Sequence, residues 1–421
     1  MARARVTLTD VAFGGEAIGR LDGRVVFVPY GLLGEEVEIE LVEDHRDYAR
    51  GEIVAILTRS PQRVEPPCQY FGACGGCQWQ HAAYPAQLEL KRKVVADQLR
   101  RIGGFSEAEQ LVRPTIGMVS PWEYRNQARF AFGRKYGELC FTRRGTHRLL
   151  RIDYCHIAQP GINARLAALQ RRLPGLRLHQ IVLRASSTTG QALVSPSLPP
   201  EAGVESGQPF LEEEILTRRY RVSADVFFQV NTRREPRPLP AAVGVPRVPL
   251  PPGGLSIADL LALLVLDRLE PRPDDLVLDL YCGVGTFSAL LAPLVGQVIG
   301  IEESAPAVRD ARHNCADLPN VRFVLGKSEH ALLDAAWRPT AVVLDPARVG
   351  CAPEVLRALV GMQPERVVYV SCDPATLARD LRLLRDGGYR LVEAQPLDMF
   401  PHTYHVETVA TLRHGQSAGP G

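Results

Sequence analysis

The chain has 421 residues, a net charge of only +2, 46% hydrophobic and 23% charged residues, and nine cysteines. That length suits two or three globular domains, which can bury a core without covalent staples. The richest apolar stretch, 255–269, is broken by Asp259 and Asp267, and no apolar leader follows Met1; these features exclude a membrane-spanning helix and a secretory signal, so the expected location is cytoplasmic and non-membrane.

Residues 1–58 read as a small all-β unit. Apolar and polar residues alternate in Val6-Thr-Leu-Thr and in Glu36-Val-Glu-Ile-Glu-Leu, 25–28 is a short apolar run, and 51–57 supplies one more strand. Gly14-Gly15, Gly23, Gly31 and Gly34 punctuate these runs. Four or five short strands in so few residues suit an OB-like β-barrel.

The next part, 59–220, reads as an α+β middle domain. It opens with Cys68, Cys74 and Cys77 in the spacing C-x5-C-x2-C, and Cys155 in Asp153-Tyr-Cys-His is the next candidate ligand. Four thiolates can hold zinc or an iron–sulfur cube, and His81 or His156 leaves a Cys3His zinc site open. Cys140, Cys282, Cys315 and Cys351 have no partner at ligand spacing and read as packing residues. A helix is expected over 86–102, strands over 126–132 and 181–185, and a further helix over 161–172. Between Glu89 and Arg151 there are 14 Lys/Arg and 6 Asp/Glu, an excess that suits a phosphate-contacting face.

The stretch 233–254 carries seven prolines and reads as a loop or semi-rigid linker that buries little. From about 257 strands and helices alternate, with strands expected at 276–280, 297–301, 321–325, 341–344, 366–370 and 406–412. This is the pattern of a parallel sheet covered by helices on both faces, in an α/β Rossmann-like domain over 221–414. The tail, 415–421, is expected to be disordered.

The chemistry concentrates in that last part. Leu276-Val-Leu-Asp-Leu-Tyr-Cys-Gly-Val-Gly-Thr reads strand, glycine turn, helix, and Glu302 closes the next strand. Position 288 is Ser, so the third glycine of the dinucleotide fingerprint is missing. An acid before the glycines with further acids at strand ends, Glu302 and Asp345, suits an adenosylmethionine site instead. Cys372 in Ser-Cys-Asp-Pro follows the 366–370 strand, and Pro374 fits a helix start whose dipole favours a thiolate. Glu407 interrupts the apolar strand His405-Val-Glu-Thr-Val-Ala.

Together, SCDPATLARDL around Cys372, LDPARVG around Asp345, DVFFQVN around Gln229 and FPHTYHVETVATL around Glu407 resemble the motifs of the RNA uracil-5-methyltransferase family. Residues 1–58 resemble its TRAM domain, an RNA-binding barrel. The resemblance covers nearly the whole chain, and it implies transfer of a methyl group from S-adenosylmethionine to C5 of a uridine. It assigns Cys372 as nucleophile, Glu407 as base, and Gln229, Tyr281, Glu302 and Asp345 as holders of S-adenosylmethionine. TRAM-bearing members bind a [4Fe-4S] cluster through the pattern of Cys68, Cys74, Cys77 and Cys155. The expected substrate is RNA, with 23S rRNA preferred over the tRNA T-loop uridine, and the protein is expected to be a monomer. In two places the chain departs from the family. Asp373 stands where Asn is usual, and the Pro-rich stretch follows Gln229–Thr232 where the family runs into a helix. Rival readings are a non-catalytic RNA-binding factor, which the presence of Cys372 and Glu407 disfavours, and a radical methylthiotransferase, which needs C-x3-C-x2-C.

Overall fold

The computed structural model describes residues 3–333 and 337–415; the tail 416–421, expected to be disordered, lies outside the described residues. The N-terminal strands are β1 (Arg3–Val11), β2 (Ala17–Leu21), β3 (Arg24–Val28), β4 (Glu36–Asp44) and β5 (Tyr48–Thr58). They close into a barrel in the order β1-β2-β3-β5-β4, as the alternation predicts, with Val6, Leu8, Val26, Val28, Val37 and Ile39 turned inward. Gly51 sits inside β5 rather than at its start. A Cβ there would meet the Ile39 side chain at 2.6 Å, so glycine makes the room that lets β4 and β5 coil tightly.

After the cysteine loop come α1 (Tyr84–Arg101) and α2 (Ala108–Leu111). Then follow β6 (Gln127–Gly133), β7 (Glu138–Thr142), β8 (Leu149–Arg151), α3 (Pro160–Leu169), β9 (Gln180–Ala185) and β10 (Ala192–Ser195). These five strands form an antiparallel sheet ordered β10-β9-β6-β7-β8. Ile162, Leu166 and Leu169 of α3 pack onto Phe130, Leu139 and Ile181 of that sheet. A hairpin of β11 (Phe210–Ile215) and β12 (Arg218–Ser223) follows.

The Pro-rich stretch has no helix or strand, as expected, but it is not a loose linker. The Glu235 carboxylate accepts the backbone N–H groups of Val119 and Ser120 at 2.9 Å, and Arg234 pairs with Glu214 at 3.2 Å and with Asp259 at 3.4 Å. Val243 is buried in the largest core. Prolines prepay the entropy of an extended path, and a few polar anchors then suffice to hold it.

The last part contains α4 (Ile257–Leu269), β13 (Leu276–Leu280), α5 (Thr286–Leu291), β14 (Gln297–Glu302), α6 (Ala305–Asn314), β15 (Val321–Leu325) and α7 (Ser328–Leu333). It continues with β16 (Ala341–Leu344), α8 (Pro353–Met362), β17 (Arg366–Ser371), α9 (Pro374–Asp386), β18 (Tyr389–Leu397) and β19 (Glu407–His414). α4 starts with a reciprocal cap between Ser256 and Asp259 and is apolar on all sides because it is buried on all sides. No helix among the described residues is long and apolar enough to cross a membrane.

The seven strands are ordered β15-β14-β13-β16-β17-β19-β18, with β19 antiparallel to both neighbours. The sequence pattern gives six of them and omits β18, whose Glu393, Gln395 and Pro396 obscure the strand signal. Val95, Ala96 and Leu99 of α1 share a core with Leu377, Leu381 and Leu384 of α9. The sheet thus takes a covering helix from the segment that carries the cysteines.

Candidate active site

The site is set by where strands end. Strand order reverses beside β13, and in such sheets ligands bind at the C-terminal edge of the strands. Tyr281 follows β13, Glu302 ends β14, Asp345 follows β16 and Cys372 follows β17, so all four lie on that edge. Because β19 runs the other way, its first residue, Glu407, reaches the same edge. Ser371 pairs with Thr408, and one further step of that register sets Cys372 opposite Glu407. Glu407 is buried, 4% exposed, rather than facing outward as an isolated strand carboxylate would.

The thiol and the acids share one electrostatic environment. Burial and the neighbouring Asp345 charge push the Glu407 carboxyl well above the usual range. Burial and Asp279 raise Asp345 to about 7. Burial, then Glu407 and Asp345, raise the Cys372 thiol to about 12, with Arg348 opposing. The helix start favours a thiolate; here burial and three carboxylates outweigh it. Asp373 makes the smallest contribution to that rise. It is the N-cap of α9, accepting the N–H groups of Ala375 and Thr376 at 3.0 Å each. Arg348, in the LDPARVG segment, reaches His405 Nε2 at 3.4 Å. Burial and nearby Arg348 and Lys91 lower His405 to about 3, so a neutral ring can accept that bond.

The glycine turn fits a ligand that approaches the backbone. Gly283 and Gly285 have φ of 54° and 80°, Tyr281 has φ of 63°, and a Cβ added at Gly283 would meet nothing within 4 Å. Glu302 locks the turn by accepting the N–H groups of Gly283 at 3.1 Å and Ser304 at 2.8 Å, which leaves lone pairs for hydroxyl donors. Buried Asp279 takes the Ser288 hydroxyl at 2.6 Å on one oxygen, while its other oxygen has no partner. Gln229 lies off the sheet, after β12; its backbone carbonyl accepts from Asn126 at 2.9 Å. Phe228 beside it is buried, while Phe227 is exposed, so only Phe227 offers a free ring.

A second site gathers the other thiols. Cys68, Cys74, Cys77 and Cys155 line one cavity, together with Arg125 and His156, and all four are free of disulfides. His81 does not line it; buried between the rings of Tyr30 and Phe71, it has no partner for either ring nitrogen. Among the described residues no three His, Cys, Asp or Glu side chains are grouped as ligands of a metal ion. Burial pushes Cys77 up to about 12, and the neighbouring Cys155 adds to the rise. The turn after Cys77 ties two regions together. Gln78 and Trp79 donate their backbone N–H groups to the His402 carbonyl at 3.0 and 2.9 Å, and the Trp79 indole donates to the Gly15 carbonyl of the barrel at 2.9 Å.

Sequence reasoning missed Arg348 and Lys91. Arg348 was legible only as part of its motif. Lys91 was counted in the basic excess but is fully buried on Asp398. Arg113 is likewise spent on Glu393, Lys93 on Asp10 and Arg144 on Glu52, acids that lie outside 89–151, so the excess over that stretch is partly neutralised within the fold.

Comparison with known proteins gives the site its relatives. The family described as tRNA (uracil-5-)-methyltransferase matches residues 257–414, and the TRAM domain matches residues 2–54. A protein of Gloeobacter violaceus, described as an uncharacterized RNA methyltransferase, is 36% identical over 97% of this chain and 95% of its own length. One from Caldanaerobacter subterraneus, with the same description, is 36% identical over 97% of each chain. The crystal structure of the Pyrococcus abyssi tRNA (uracil-54, C5)-methyltransferase in complex with S-adenosyl-L-homocysteine superposes with a TM-score of 0.71. It is 25% identical and covers 97% of this chain and 99% of that one.

Proposed function

The chain belongs to the RNA (uracil-5-)methyltransferase family, a group of S-adenosylmethionine-dependent enzymes, and from that premise we propose that it methylates C5 of a uridine through a covalent adduct at Cys372. The observation that carries this reading is the register placing Cys372 opposite Glu407, with Asp345 beside them. C5 of uracil is a poor nucleophile. When the Cys372 thiol has released its proton to solvent and its sulfur bonds to C6, the π pair of C5=C6 moves onto the ring as an enolate, and C5 can attack a methyl cation equivalent. S-adenosylmethionine supplies that electrophilic methyl group and leaves as a neutral thioether. The Glu407 carboxylate then takes the proton from C5, the pair re-forms C5=C6, and the C6–S bond breaks to return the thiolate.

Around that step Glu302 would accept ribose hydroxyls, the Gly283–Gly285 turn would admit the backbone-side approach, and Tyr281, Asp345 and Gln229 would complete the pocket. Arg348 provides a positive charge that favours the thiolate. The target base must leave its stack at a cost of roughly a few kcal/mol, less in a loop.

The four thiols of Cys68, Cys74, Cys77 and Cys155 would hold a [4Fe-4S] cluster. Their number, their shared cavity and their lack of disulfides support this. Such a cluster would fasten the cysteine loop and take no part in methyl transfer.

The substrate proposed first is 23S rRNA, because the barrel and middle segment extend the contact surface in a way that suits a large folded RNA. A second reading, the tRNA T-loop uridine, is favoured by the Pyrococcus abyssi tRNA enzyme, which matches this chain over nearly its full length. Tritiated methyl transfer to protein-free 23S rRNA and to tRNA, followed by mass-spectrometric mapping of 5-methyluridine, tests both. Label in neither RNA, from protein loaded with its cofactors, would remove the proposal; label confined to tRNA would replace the first substrate by the second.

A further inference from the structure

The loop between β18 and β19, residues 398–406, leads directly into Glu407, and helix α1 grips it at both ends. The Lys91 ammonium, 0% exposed, has three N–H donors. One goes to the Asp398 carboxylate at the start of the loop, one to the Phe400 carbonyl at 3.0 Å, and one to the His405 carbonyl at 2.7 Å. All three are thereby spent on this loop. Gln87, one helical turn earlier on the same face, accepts the His402 backbone N–H at 2.9 Å and meets His402 Nδ1 at 3.2 Å. A buried ammonium needs an acceptor for each of its three protons, and all of them could have come from scattered neighbours. Here the two carbonyls come from opposite limbs of one loop, so a single charged head fixes the spacing between them. His405 is two residues from Glu407.

We propose that Lys91 is a positioning residue for the base. By joining Asp398, Phe400 and His405 it sets where β19 begins, and so holds the Glu407 carboxylate at C5 of the bound uracil. Lys91 touches neither the substrate nor Cys372; it acts through the loop. The inference rests on the reading of Cys372 as nucleophile and Glu407 as base.

Its test separates proton removal from everything before it. Fluorine at C5 takes the place of the proton that the base removes. RNA carrying 5-fluorouridine therefore stops at the methylated covalent adduct, and its rate of formation reports addition and methyl transfer alone. Lys91→Met is compared with wild type on this RNA and on ordinary uridine RNA. The double variant Lys91→Met/Asp398→Leu accompanies it, because it leaves no unpaired buried charge and guards against misfolding. We expect both variants to form the fluorouridine adduct within about twofold of the wild-type rate. On ordinary RNA they release product at least about tenfold more slowly, with the adduct persisting on a denaturing gel and KM for RNA unchanged. Equal slowing on both RNAs in the double variant, or no slowing on either, would overturn the role. Failure of the wild type itself to form the fluorouridine adduct would instead remove the covalent mechanism, and this inference with it.

Discussion

Two places in this protein hold partly buried thiols and surround them with opposite company. Cys372 and Cys77 are both pushed to about 12, and burial is the largest cause in each. Around Cys372 the next causes are carboxylates, Glu407 and Asp345, with one cation, Arg348. Around Cys77 a hydrogen bond from the Gln80 side chain opposes the rise first, followed by the thiols Cys155 and Cys74, which add to it, and Arg125, which also opposes. A raised thiol therefore does not by itself separate the proposed nucleophile from a proposed ligand, and the charged surroundings of the two differ. Carboxylates beside a thiol supply a place for a proton to go within one turnover. Thiols beside a thiol are relieved by a hydrogen-bond donor or a fixed cation, and most completely by a bound metal ion.

The largest effect that would break this contrast is at Cys372. Cys372→Ala should reduce methyl transfer to background while leaving S-adenosylmethionine binding, followed by calorimetry, and iron content unchanged. Turnover surviving in that variant would show that the carboxylate-lined thiol is not the nucleophile.

Next comes Glu407→Gln. Addition and methyl transfer need no carboxylate at that position, whereas proton removal does. Turnover should fall by about 10²–10⁴-fold, and a protein–RNA adduct should accumulate on a denaturing gel. Full activity without adduct would remove Glu407 from its role.

Cys77→Ser addresses the other side of the comparison. Iron and acid-labile sulfide measured after anaerobic purification should drop to trace, and the melting temperature should fall. Unchanged metal content would mean that the four thiols form no cluster site.

Asp345→Asn should produce a smaller change, read in the pH profile. Asp345 and Glu407 have carboxyls raised by burial; Asp279 adds to the rise at Asp345, and Asp345 adds to the rise at Glu407. Taking away the Asp345 charge lets Glu407 ionise at lower pH, so the acid limb of kcat should move down by about one unit. Linkage fixes the sign for stability. Acids whose folded values are raised contribute stability that is present below the unfolded carboxylate range and is lost as pH rises through the folded value. For Asp345 that window ends near about 7. Wild-type melting temperature should therefore decline through this range, and the variant should decline less.

Asp373 supplies the smallest effect. Its carboxylate caps α9 through Ala375 and Thr376, and Asn caps a helix as well as Asp. Asp373→Asn should leave both turnover and stability almost unchanged, whereas Asp373→Ala should cost about 1 kcal/mol by denaturant titration. Asp373 is the smallest of the charges that raise the Cys372 thiol, and a large gain in rate for Asp373→Asn would show that it has a larger share.

What the sequence determines here is whatever depends on local period and local spacing. Alternation every second residue in 36–41 specifies β4 and the barrel it closes. The strand, glycine turn and helix over 276–287 specify a ligand edge, and the short motifs around Cys372 and Glu407 name the chemistry without showing its geometry. Tertiary structure alone decides what depends on pairing between distant segments. β18 carries polar residues and a proline that its sequence reads as non-strand, yet β19 pairs with it along its length. That pairing, together with the antiparallel insertion of β19, turns Glu407 from an unremarkable strand residue into the group facing Cys372. Lys91 shows the same limit from the other direction. In the sequence it is one more positive charge in a basic stretch, but a side chain's burial depends on what the rest of the chain folds around it. Only the packing of α1 against the loop after β18 closes water off from that ammonium and gives each of its three donors an acceptor in the loop.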